Sequence, residues 1–134
     1  MRYHAKERIR APGQMEWVFE EREVSVMSTS ALLARIMIGK VEKIDRLVQI
    51  LRNTPIRQGD AGWNCVLWVK EAIQTLHDDG KALGTSQTDW QVVRDSAMWY
   101  VEKKKAEHRF DGLGNFDMSR APTYDLLEGK ETIV

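Results

Sequence analysis

The sequence predicts a mixed α+β fold, a small antiparallel sheet from the N-terminal third packed against about three helices. Residues 1–41 are rich in aromatic and β-branched side chains with partial alternation, whereas from residue 42 the apolar side chains recur at helical spacing. The length of 134 residues, 43% hydrophobic with five tryptophans, suits one domain with a real core. The expected organisation is a single domain: strand-rich over 1–41, helical over 42–108, and closed by an irregular tail over 109–134.

The first two elements read as a hairpin. RYHAKERI and EWVFEEREVSV alternate at Trp17 and Phe19 and then at Val24 and Val26, and Ala11-Pro12-Gly13 supplies the turn between them. The next stretch, ALLARIMIGKV at 31–41, reads as a strand after a helical turn because Ile36, Met37 and Ile38 form a short apolar run; Leu32, Leu33 and Ile36 also fit a helical stripe. Ile44, Leu47, Val48 and Leu51 make one face of a first helix that Pro55 must stop. A second helix starts at Cys65 with Asn64 as its N-cap, and Cys65, Val69, Ala72 and Leu76 trace the stripe that would face a sheet. In the third helix, Thr88 and Gln91 have capping-box spacing and Asp89 suits the positive end. Lys103, Lys104 and Lys105 suit the negative end, where dipole complementation and solvation account for the run, and Trp90, Val93, Ala97 and Tyr100 line the buried face. Beyond His108 the glycines break any period, which predicts a draped tail pinned by Phe110, Phe116, Tyr124 and Leu127.

Composition excludes several classes of function. Twenty basic and twenty acidic residues cancel, so no global field draws the chain to nucleic acid or an anionic membrane. One cysteine excludes an internal disulfide, and three scattered histidines give no zinc spacing, so neither metal nor cofactor is expected. The polar start MRYHAKERIR and the absence of a long apolar run point to a cytoplasmic protein that neither enters nor crosses a membrane.

The chemistry turns on Cys65. At the first position of a capped helix, free backbone amides and the macrodipole favour a thiolate, which suits a nucleophile; yet cysteine is also among the most buried residue types. A nucleophilic cysteine needs an imidazole within hydrogen-bond reach. His77, twelve residues along the same helix, is too far, at about 18 Å. His108, beside Arg109 and Asp111, has the form of a base with an acidic orienter, although histidine at a helix C-terminus also complements the dipole. His4, on the first strand, would project toward the helix N-terminus or else bond at the sheet edge.

The order of a hairpin containing YHA followed by an NCVLWV helix resembles the circularly permuted papain-like proteins, the lecithin retinol acyltransferase and NlpC/P60-related group. RYHAKERI, WNCVLWVKEAIQTL, DGKALGTSQTDW, HRFDG and PTYDLLEGKE together resemble a family of short uncharacterised fungal proteins. The papain-like resemblance implies that Cys65 holds the nucleophile's place. It also implies that the strand bearing the usual catalytic histidine has no counterpart, so that the fold lacks its first strand and His4 must substitute or the site is incomplete. An open strand edge of that kind exposes unpaired backbone groups and leads to an expected homodimer through the N-terminal strands.

Two functions follow. One is a cysteine-dependent hydrolase or acyltransferase acting on a small-molecule or peptide amide, ester or thioester: Cys65 attacks, His4 or His108 moves the proton, and Asn64 or nearby amides hold the oxyanion. The other is a non-catalytic binding or oligomerisation module in which Trp63 and Trp68 flank a groove, Trp63 being the more exposed, and Cys65 is only packed.

Overall fold

A computed structural model describes residues 1–24 and 32–134; Val26 and Ala31, assigned to strand or turn from the sequence, lie outside them. The fold is α+β, with three helices and small sheets among the described residues, and it divides into two units.

The first unit comprises Met1–Val24 and Val41–Gly84. It is built on a hairpin of β1 (Arg2–Ala11) and β2 (Gln14–Arg22). Pro12 presets the first turn residue, and Gly13, at φ 75°, takes the left-handed conformation that the second requires. Because side chains alternate across a strand, Tyr3 and Ala5 of β1 share a face with Trp17 and Phe19 of β2, and this face carries the core. Ala5, Trp63 and Trp68 are buried together there, with Tyr3, Trp17, Phe19, Leu51 and Ile56 packed around them. The small Ala5 side chain leaves room for two indoles.

The helix α1 (Ile44–Asn53) ends at Thr54, before Pro55, as the sequence predicts. Its apolar stripe is only half-buried, and Ile44 is exposed. The helix α2 (Cys65–Asp79) runs from the Asn64 cap to Gly80, which closes it in the left-handed conformation at φ 64°. Trp68, Ala72, Ile73 and Leu76 are buried, so the inward stripe is covered from Ala72 onward, while Cys65 and Val69 before it remain exposed. The loop joining α1 to α2 returns along β2. There Gln58 accepts from the Trp17 backbone N–H at 2.9 Å and donates to the Trp17 carbonyl, taking the place of a neighbouring strand. Arg52 of α1 adds a two-pronged bond to Glu21 at 2.9 and 3.1 Å.

The second unit contains the described residues 32–40 and Thr85–Val134. The stretch expected to be one strand forms two, β3 (Arg35–Met37) and β4 (Gly39–Val41), separated by Ile38. The partner of β4 is β5 (Leu83–Ser86). The helix α3 (Trp90–Ala106) buries Val93 and Tyr100 and half-buries Trp90 and Ala97. Its N-cap is Asp89, which accepts from Val92 N at 3.1 Å, and not Thr88. The expected irregular tail contains β6 (Thr123–Asp125) and β7 (Lys130–Ile133), which give the order β3-β6-β7 with β3 parallel to β6. Their turn is held by the buried Asp125, whose carboxylate accepts from Leu127 N and Glu128 N at 2.9 and 3.0 Å.

Asp89→Ala is expected to lower stability by about 1 kcal/mol, read as a lower urea midpoint with an unchanged denaturant slope.

Candidate functional site

The α2 N-terminus is built as the sequence predicts. Asn64 takes an extended conformation, and its side-chain oxygen accepts from Val66 N at 3.0 Å and Leu67 N at 3.2 Å. The thiol of Cys65 is exposed at the first helical position. The stripe assignment that placed this sulfur in a packed core is therefore corrected: nothing described covers the first turn of that face. The cap also has a chemical consequence. The Asn64 oxygen already engages the Val66 and Leu67 amides, so these two can serve an oxyanion only if the cap opens.

His4 lies on β1 next to Ala5 and therefore on the opposite face of the hairpin from Trp63, Trp68 and α2. Its Nε2 meets the Glu20 carboxylate directly across the strands at 2.5 Å. The bond to His4 holds the Glu20 carboxyl below its usual range, more than offsetting its partial burial, and nearby Lys6 adds to the effect. His4 and Cys65 are not brought together. The reason is the period of the strand: once Ala5 turns inward, its neighbour must turn outward.

His108 belongs to the second unit and closes α3. It adopts φ 61°, the left-handed position that glycine usually fills at a helix end, and Arg109 N bonds back to Lys104 O across it. Its exposed ring pairs with Asp111 at 2.6 Å, and that bond holds the Asp111 carboxyl below its usual range. An imidazole with an acidic partner is thus present, at a helix C-terminus.

Both tryptophans are buried. Trp63, expected at the surface, is buried at 6% exposure and meets Trp17 edge-on with ring centres 5.4 Å apart. The short loop after Gly62 turns it back onto the hairpin, and its Nε1 has no acceptor among the described residues. Trp68 is a core residue at 2% exposure whose Nε1 reaches Thr54 O at 3.4 Å. They do not flank one groove. Trp63 alone lines an open, largely apolar depression of about 320 Å³, with Leu67, Lys70, Glu71 and Gln74 of α2, and Cys65 does not line it. A larger depression of about 400 Å³ lies between α1 and α2, lined among others by Gln49, Asn53, Thr75 and the Arg46–Asp79 ion pair.

Sequence reasoning missed the charged cluster in the second unit. Lys104, read as part of a solvated run, is 0% exposed and bonds Glu107 at 2.8 Å and Glu131 at 2.5 Å. Tyr100 donates to Glu131 at 2.6 Å. Burial opposes the charge on Lys104, but its bonds to Glu107 and Glu131 outweigh it and raise the ammonium above its ordinary range. Burial likewise opposes ionisation of Glu131, and the bonds from Lys104 and Tyr100 outweigh it and hold the carboxyl low. Burial first, and then the bond to Glu131, push the Tyr100 hydroxyl far up, so it stays protonated. Arg109, 1% exposed, donates to the Asp117 and Arg120 carbonyls at 3.1 and 2.7 Å and lies over Phe116. A usable signal was present: Tyr100 and Lys104 are four residues apart on one helix face, so Lys104 continues the buried stripe.

Among the described residues, no group of three or more His, Cys, Asp or Glu side chains could hold a metal, and no helix is long and apolar enough to cross a membrane. The profile of a family of unknown function, DUF6914, matches residues 1–133, and the chain belongs to that family. No curated protein and no solved structure matches it.

The ordinary carboxyl value is 4.5 for Glu131, and its lowered folded value means that its stabilisation is complete above 4.5 and is lost as pH falls through the folded value. The raised value of Lys104 keeps its contribution in place below its ordinary 10.5, with loss only as pH rises beyond. Glu131→Gln is therefore expected to cost about 3 kcal/mol at neutral pH, and far less once acid has protonated the native carboxylate. Urea unfolding at the two pH values checks this; an equal cost at both would contradict it.

Proposed function

We propose that this member of DUF6914 is a non-catalytic binding module on a degenerate papain-like fold, in which Cys65 keeps the nucleophile's place without His4 as its base. The observation that carries this reading is the separation of imidazole from thiol: His4 bonds Glu20 on one face of the hairpin, and the indoles that pack under α2 occupy the other. Turned away in this manner, His4 gives the thiol no general-base assistance. The occupied amides at the Asn64 cap support the same reading. The Trp63 depression offers an indole face and the Leu67 side chain, with Lys70, Glu71 and Gln74 at hand for polar contacts. This pattern suits a small amphipathic group or a peptide side chain.

What favours the acyl-transfer alternative is the exposure of Cys65 at a capped helix start. The two readings separate on proton transfer. Iodoacetamide alkylation of Cys65, followed from pH 5 to 9, is expected to give the same profile in wild type, His4→Ala and His108→Ala, with no ester or thioester hydrolysis above that of Cys65→Ser. Slower alkylation of either histidine variant below neutral pH, together with Cys65-dependent hydrolysis, would restore the enzyme.

A further inference from the structure

The hairpin has two edges, and the structure treats them differently. Trp17 directs its N–H and C=O away from β1, to Gln58. Its cross-strand partner Glu7 therefore sits in a non-hydrogen-bonded pair and directs its own N–H and C=O out from the far edge of β1, as do Tyr3, Ala5 and Ile9 by the same alternation. On the β2 edge Gln58 caps the Trp17 backbone and Arg52 holds the Glu21 side chain. On β1, Tyr3 is half-buried and Ala5 buried, but residues 6–10 are all exposed. No bond among the described residues covers the outward backbone groups of Glu7 and Ile9. This half-edge is an open template for one more strand.

Its side chains specify which strand. On the outer face stand Lys6 and Arg8, with Arg10 beside them in the bulge before the turn. Arg8 meets Glu16 at 2.6 Å and Lys6 meets Glu20 at 3.6 Å, whereas Arg10 has no carboxylate partner among the described residues, so this half of the outer face carries three cations against two carboxylates, and the one acidic side chain of this half-edge, Glu7, stands on the inner face. On the inner face, Ile9 and Met15 lie opposite each other at 72% and 56% exposure, an apolar pair beyond the reach of the core. A second copy of the chain does not fit. Symmetric antiparallel pairing of two β1 strands keeps like faces together, so Lys6 and Arg8 would oppose their own counterparts, and like charges directly opposed are destabilising.

We infer that the Lys6–Arg10 half of the β1 edge binds an extended segment of a partner protein with acidic side chains at alternate positions and apolar ones between them, added as a third strand. The carboxylates join Lys6 and Arg8 from the side opposite Glu20 and Glu16, and an apolar side chain covers Ile9. This surface is separate from the Trp63 depression; it deepens the binding-module reading without involving Cys65.

The test uses the full chain at neutral pH with two blocked peptides, one alternating glutamate and valine and one alternating lysine and valine. The glutamate peptide is expected to bind about tenfold tighter than the lysine peptide, and to slow amide exchange at Glu7 and Ile9 specifically. Lys6→Gln with Arg8→Gln is expected to abolish the preference, and neutral amides at these two solvent-facing positions set no like charge against Glu20 or Glu16, so the fold should tolerate the change. The inference is overturned if neither peptide binds, if both bind equally, or if protection falls elsewhere. It is equally overturned if Glu7 and Ile9 become protected in peptide-free protein as concentration rises and the mass doubles, which would make a second copy the occupant. Absence of peptide binding with identical alkylation in wild type and His4→Ala would remove this inference and leave the proposed function standing.

Discussion

Burial of Ala5 beneath two indoles is the constraint on which the first unit depends. A strand offers only two faces, so the residue chosen for the core decides where every neighbour points. With Ala5 against Trp63 and Trp68, Tyr3 joins the core and His4 is sent to the far side, where Glu20 faces it across the hairpin. A one-residue slip in the pairing would exchange these faces. Such a slip would bury an imidazole and a lysine and expose the alanine, at the cost of burying charge and polar groups without partners. The packing of the aromatic core and the orientation of His4 are thus one decision, taken by the hydrophobic effect.

The same logic governs the edges. Two-stranded ribbons are weak alone and expose backbone on both sides. Here the loop after α1 supplies Gln58, whose amide imitates a neighbouring strand at a single residue, and Arg52 pins the end of β2 through Glu21. The opposite edge is covered only as far as Ala5. The cap on one side and exposure of half the other give the hairpin a direction for recognition, and the lysine and arginines on its outer face give it a sign.

Much of this was legible in the sequence, where local chemistry decides the outcome. The Pro12-Gly13 turn, the Pro55 stop and the Asn64 cap each act within a few residues, and each forms as read. What was illegible depends on distant partners. Trp63 follows a glycine in a loop and reads as exposed; its burial comes from Trp17 and Ala5, dozens of residues away. Lys104 sits in a run of three lysines that looks uniformly solvated, and only Glu131, from a strand in a tail that reads as irregular, shows that one of them is internal. Thr88 and Asp89 both suit a cap, and the choice rests on a single backbone turn. For Cys65 the stripe was right in direction, but covering a helix face needs a neighbour, and none of those described reaches its first turn.

The account is tested most directly by the face on which each β1 side chain stands, which nuclear Overhauser contacts in the labelled full chain report residue by residue. The Ala5 methyl should show contacts to the indole protons of Trp63 and Trp68, while the His4 ring protons show contacts to side chains of β2 on the outer face, Glu20 above all. Contacts from the His4 ring to the β-protons of Cys65, with Ala5 facing solvent, would contradict it.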